Sequence, residues 1–174
     1  MNSSPKIIAV TGAESTGKSS LTKALGKHFN AITIPEFARE YVEKLQHSYT
    51  YNDVEVIAKK QVLQLNEALA KNPEYIILDT WLLITKVWFD VVYKKQPDWL
   101  EQTIRSTHID LFLLCETDLP WIADDVRENG GENRISLQKQ YLHEIQHYDF
   151  AFEKIMGSGN QRTQQAILAI ESLI

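Results

Sequence analysis

The sequence predicts an α/β fold: one domain, residues 1–174, built on a parallel five-stranded sheet with helices on both faces and a lid. Three observations lead there. Short runs of β-branched and other apolar residues alternate with segments whose apolar residues recur at helical spacing. Most of these runs are apolar at every position, as in strands covered on both faces. And the first run ends in a glycine-rich loop that opens a helix.

The first strand is residues 6–11 (KIIAVT), which stops at Gly12. A helix starts at Gly17–Lys18, with Leu21, Ala24, Leu25 and Phe29 at helical spacing. Residues 31–35 (AITIP) form the second strand. From 36 to 46, Phe37, Tyr41, Val42 and Leu45 keep helical spacing. A loop at 49–52 precedes Asp53, which reads as the N-cap of a long helix. That helix carries Val54, Ile57, Ala58, Val62 and Leu65 on one face and runs to about residue 71, where Asn72–Pro73 ends it. The third strand is 75–79 (YIILD), followed by a helix over 80–93 rich in large apolar residues and another over 98–107. Residues 110–115 (DLFLLC) are the fourth strand. Residues 121–134 are polar, acidic and glycine-containing, which predicts a mobile lid. A helix over 135–148, a weak fifth strand over 152–156, a turn at Gly157–Ser158–Gly159 and a helix over 161–173 complete the chain. No repeat, low-complexity tract or second domain is visible.

Composition narrows the class. Hydrophobic residues make up 44% and charged residues 24%, as in ordinary globular proteins. A net charge of -5 opposes a nucleic-acid partner, whose phosphates demand a basic face. It does not oppose one bound nucleotide, which a local nest of N–H groups can hold. The lone cysteine, Cys115, excludes an internal disulfide and sits in an apolar run, as a buried strand residue would. Residues 1–5 lack the apolar core of a signal peptide, and no apolar run reaches the length of a membrane span. The expectation is a cytoplasmic protein with no membrane partner.

The phosphate loop is the sharpest motif. Gly12-Ala13-Glu14-Ser15-Thr16-Gly17-Lys18-Ser19 matches G-x-x-x-x-G-K-[ST] in full, between a strand and a helix, which predicts a P-loop NTPase. Glycines let the backbone aim successive N–H groups at phosphate oxygens, and the helix N-terminus adds its dipole. Lys18 is expected on the β- and γ-phosphates of ATP and the Ser19 hydroxyl on Mg²⁺, with Ser20 extending the nucleotide-binding set.

A second motif points elsewhere. His143-Glu144-Ile145-Gln146-His147 is a literal H-E-x-x-H, which on a helix can bind zinc. The preferred reading is a surface helix with Leu142 and Ile145 inward, because the phosphate site already explains the layout.

Asp79 ends an apolar strand, where a carboxylate can reach the Mg²⁺ shell, in part through water; a helix N-cap before Trp81 is the other reading. Glu36 and Arg39 follow the second strand, at the carboxyl end of the sheet where ligand groups collect. Glu36 is placed to take a proton from an acceptor hydroxyl, although Asp79 is not excluded as the base, and Arg39 to pair with Glu36 or hold a phosphate. Arg127 and Arg134 flank Gly130–Gly131 in the lid, where a closing arginine stabilises a transferring phosphoryl group. Asp124 and Asp125 either orient those arginines or solubilise the loop.

These residues resemble a known family. The phosphate loop, Glu36-Phe-Ala-Arg39-Glu-Tyr41, Asp79-Thr80, and the run Leu-Leu-Cys-Glu-Thr-Asp-Leu-Pro-Trp121 with Asp125 and Arg127 are similar to the ribosylnicotinamide kinase domain of NadR-type proteins. The resemblance covers nearly the whole chain. It implies a P-loop kinase that uses ATP and Mg²⁺ to phosphorylate the 5′-hydroxyl of nicotinamide riboside, giving nicotinamide mononucleotide. It implies that Gly157-Ser-Gly159-Asn160 borders the adenine and that Glu36 is the base; Trp81 either stacks on the nicotinamide ring or packs in the core. NadR-type proteins usually carry an adenylyltransferase domain ahead of the kinase, so for this sequence any adenylyltransferase is expected to be a separate protein, or absent. Within kinases the alternative is a deoxynucleoside or other small-metabolite kinase. Outside them it is an NTP-dependent switch, which needs partner surfaces more than an acceptor pocket.

Overall fold

The computed structural model describes residues 4–123 and 127–173. Asp124 and Asp125 lie outside the described residues.

Five strands, β1 (Lys6–Thr11), β2 (Ile32–Ile34), β3 (Tyr75–Asp79), β4 (Leu111–Cys115) and β5 (Phe152–Ile155), form one parallel sheet in the order β2-β3-β1-β4-β5. Every residue of β3 and β4 is buried, which is why both read as unbroken apolar runs. The edge strand β5 exposes Glu153 and Lys154, which is why its signal is weak. The two-residue period of β1 splits the core. Ile7 and Ala9 join the layer beneath α3 (Tyr51–Leu69), α4 (Leu82–Trp88), α5 (Asp98–Ser106) and α6 (Gly131–His147). Ile8 and Val10 join the opposite layer, beneath α1 (Lys18–His28) and α7 (Gly159–Glu171). Register then sets the site: Val10 pairs with Asp79 on one side and Leu113 on the other, so the end of β1 lies between Asp79 and Cys115. Among the described residues no helix is long and apolar enough to cross a membrane.

Several boundaries differ from the expectation. Asp53 is not the N-cap of α3. Thr50 is, and Asp53 at the third helical position closes a capping box, accepting from Thr50 N at 2.7 Å while its own N–H donates to Thr50 Oγ1 at 3.3 Å. The helix expected over 80–93 begins at Leu82, because Thr80 sits at φ 72° and Trp81 is extended. Its end is a π-helical turn, Phe89–Tyr93, which carries Val91 and Val92. The expected lid is shorter than 121–134: Gly131, at φ 57°, opens α6, so Arg134 belongs to that helix's first turn. Of the H-E-x-x-H residues, His143 and His147 are exposed and Glu144 lies 3.0 Å from Lys86 Nζ.

Candidate active site

The phosphate loop is held by backbone conformations that its residue types permit. Gly12 has φ 140°, and a Cβ there would stand 2.6 Å from the Cys115 carbonyl oxygen. Gly17, at φ 78°, caps α1 with no side-chain bond, which leaves the first N–H groups of the helix facing the loop's concavity. Gly12→Ala is therefore expected to destabilise the ligand-free protein by about 1–3 kcal/mol. Urea unfolding checks this, and an unchanged midpoint would refute it.

The ligand-facing groups converge. Lys18 Nζ donates to the Ala13 carbonyl at 2.9 Å, and the Ser19 hydroxyl stands near enough to the Asp79 carboxylate to lower its pKa. Asp79 is 4% exposed, and among the described residues its Oδ1 has no hydrogen-bond partner. Burial is the main cause that raises its pKa above the ordinary value, with Ser19 and Lys18 opposing. A buried carboxylate oxygen without a donor, beside a hydroxyl at the first turn of α1, fits a hard cation such as Mg²⁺. The capping role weighed for Asp79 falls to Trp81, whose side chain makes no cap bond.

Glu36, half-buried at the end of β2, caps α2 (Phe37–Lys44) with extended backbone. Its pKa is raised, first by desolvation, then against the lowering effect of Lys18; Asp79 raises it further and Arg39 lowers it. Arg39 was expected to hold Glu36 ionised. Its charge acts in that direction, but burial outweighs it, and the guanidinium is half-exposed and lies 3.0 Å from Glu43.

One cavity of about 360 Å³ is lined by Lys18, Ser19, Glu36 and Arg39, while Asp79 lies off its lining. The phosphate loop, from Gly12 through Ser20, forms one end, with Glu36 and Arg39 beside it. The far end is apolar and aromatic, with Tyr49, Ile84, Trp88, Val91 and Val92, and the Tyr49 and Trp88 rings meet edge to face at 4.8 Å. Between them Gln61 and Thr85, both buried, share a 2.7 Å hydrogen bond beside Thr80. Thr80 is a β-branched residue held at φ 72°, the kind of strain that functional sites retain. Trp81, expected on the ring of a substrate, is 1% exposed and belongs to the core. The tryptophan at the cavity is Trp88. Both lie on one apolar run, and periodicity alone does not separate them. Gly159 and Asn160, expected at the nucleotide base, form the first turn of α7 and lie off the cavity's lining.

The polar segment before α6 packs on the phosphate loop. The Glu14 carboxylate accepts from Trp121 Nε1 at 3.3 Å, from Asn129 N at 3.1 Å and from Asn129 Nδ2 at 3.0 Å. Arg127 lines the cavity and donates to the Ile122 carbonyl at 2.7 Å. Arg134 is buried and donates to the carbonyls of Glu14 and Ser15, on the loop's outer side.

Comparison with known proteins places the fold. A family model described as an AAA domain matches residues 7–162. The trifunctional NAD biosynthesis/regulator protein NadR of Escherichia coli (strain K12) is 24% identical over 157 residues, which cover 86% of this chain and 38% of that protein. The chain thus spans well under half the length of that curated relative. A crystal structure of NadR in complex with NR superposes with a TM-score of 0.79 at 21% identity, covering 98% of this chain and 51% of that one. Deoxyadenosine kinase from M. mycoides, with products dCMP and a flexible dCDP bound, gives 0.70 at 18% identity, covering 95% and 98%. Matched over nearly its whole length, the chain belongs to the AAA-domain family of P-loop proteins, and its fold is that of NadR and the P-loop nucleoside kinases.

Proposed function

We propose that the protein is an ATP-dependent phosphotransferase that phosphorylates the 5′-hydroxyl of nicotinamide riboside to nicotinamide mononucleotide. The observation that carries the kinase reading is one shared cavity, which places a phosphate loop, a half-buried carboxylate and an apolar, aromatic cleft in one space. A switch that only hydrolyses NTP needs no such acceptor cleft. The substrate rests on likeness to NadR, and the aromatic pair Tyr49–Trp88 suits a cationic ring.

In this reading the loop's N–H groups and Lys18 hold the β- and γ-phosphates of ATP. Ser19 and Asp79 would hold Mg²⁺, which when bound neutralises charge on those phosphates. Glu36 takes the proton from the acceptor hydroxyl as its oxygen bonds to the γ-phosphorus and the bond to the β-phosphate oxygen breaks, releasing ADP. Arg127 reaches the transferring group, and Arg39 holds the acceptor side. Arg127→Ala is expected to lower kcat about 10²-fold with little change in KM for ATP. A change confined to KM would make Arg127 a ground-state binder.

The test is ADP release from ATP and Mg²⁺ with nicotinamide riboside, deoxyadenosine or deoxycytidine as acceptor. Turnover with nicotinamide riboside at the highest kcat/KM is expected. Preference for a deoxynucleoside would overturn the substrate, and no turnover with any acceptor would overturn the kinase reading.

A further inference from the structure

Behind the phosphate loop stand three buried polar side chains that do not line the cavity: Arg134, expected to act from a closing lid, and Gln138 on α6, and Arg162 on α7. Their partners form a series. Arg134 Nε donates to the Glu14 carbonyl at 2.8 Å and Arg134 Nη2 to that of Ser15 at 3.0 Å. Arg162 Nη1 donates to the Thr16 carbonyl at 2.9 Å. The Ala13 carbonyl accepts from Thr16 Oγ1 at 2.8 Å, and Ala13 N donates to Gln138 Oε1 at 2.9 Å.

A trans peptide points its carbonyl and the next residue's N–H in opposite directions. Three successive carbonyls, those of Glu14, Ser15 and Thr16, bonded from outside therefore turn the N–H groups of residues 15–17 the other way, toward the concavity where phosphate oxygens bind. Left alone, three adjacent peptides have no reason to keep that alignment, and the converging dipoles repel one another. We propose that Arg162, with Arg134, is a positioning residue of the nucleotide site: the two guanidinium forks clamp the outer face of the phosphate loop and preorganise its N–H groups for a triphosphate.

Arg162 extends the clamp beyond the loop. Its Nε donates to the Gly157 carbonyl at 2.9 Å, and its Nη2 pairs with Asp118, whose other oxygen accepts from Gly157 N at 2.6 Å. One guanidinium thus ties the phosphate loop to the β5–α7 turn and to the segment after β4. Because Asp118 offsets its charge, what Arg162 contributes is direction: bonds along divergent N–H vectors that a lysine lacks.

The clamp rests on the phosphate-loop reading but not on the acceptor, so its test is binding rather than turnover. Titration of the whole protein with Mg²⁺-ATP and, separately, with inorganic tripolyphosphate is expected to show Arg162→Gln and Arg162→Lys weakened by about tenfold or more for both. Nicotinamide riboside binding should stay within about twofold of wild type, which a general loosening of the fold would not allow. Wild-type triphosphate affinity in a folded Arg162→Gln variant would overturn the clamp, and so would full rescue by lysine. Should the single variants fail to fold because Asp118 loses its guanidinium partner, the paired Arg162→Met, Asp118→Leu variant removes both charges. Wild-type triphosphate affinity there would also overturn the proposal. Wild-type protein that binds triphosphate but phosphorylates no nucleoside would sink the kinase reading alone.

Discussion

Replacing Lys18 with alanine is expected to cut kcat by at least about 10²–10³-fold while the protein stays folded. Its ammonium is half-buried at the cavity, and its hydrogen bond is to the Ala13 carbonyl. That carbonyl keeps a second donor, the Thr16 hydroxyl, so losing the lysine leaves no orphaned acceptor. Stability should move by about 0.5 kcal/mol or less, the size of an ordinary surface change. Charge on the γ-phosphate develops where no other lysine of the chain stands at the cavity among the described residues, which is why the kinetic effect dwarfs the thermodynamic one. An ADP-release assay and a urea titration on the same preparation decide it. Turnover at the wild-type rate would remove the loop from the mechanism, and a large stability loss would recast Lys18 as structural.

Residues with strong local signatures were legible in the sequence. The loop from Gly12 to Ser19 was, because its chemistry demands fixed residue types at fixed spacing. So were β3 and β4, whose burial on both faces leaves no polar position to confuse the pattern. Glu36 and Asp79 followed from strand ends in a parallel sheet, since register sets those ends side by side. What failed was decided by tertiary contact. Trp81 and Trp88 share one apolar run, and a backbone outlier at Thr80, visible in no propensity, turns the first into the core. Gly130–Gly131 reads in sequence as part of a mobile lid, yet Gly131, at φ 57°, opens a helix. Arg162 and Gln138 gave no signal, because a polar residue in a helix far along the chain does not reveal that it faces a loop 146 or 125 residues away.

Glu36→Gln is expected to lower kcat by about 10²–10⁴-fold while making the ligand-free protein more stable at neutral pH. Both effects follow from one displaced equilibrium. Burial raises the pKa of Glu36 in the folded chain above its ordinary 4.5. The native state therefore binds that proton more tightly than the unfolded chain does. As pH rises from the unfolded pKa through the folded one, ionisation of Glu36 removes stability, and the full loss stands at higher pH. Glutamine keeps the shape without the charge, so the variant should melt higher than wild type at about pH 8 and match it at about pH 4, where the native carboxyl is already protonated. Catalysis runs the other way. A general base must be ionised, so the acid limb of kcat/KM for wild type should fall above the ordinary carboxylate range and disappear in the variant. Lys18, the largest lowering influence on Glu36, links the two sites: a bound triphosphate draws that lysine to itself and adds negative charge nearby, which strengthens Glu36 as a base once ATP is in place. Near-normal kcat in Glu36→Gln would move the proton to Asp79 or to solvent. An acid limb that survives the substitution would do the same, even if the rate falls.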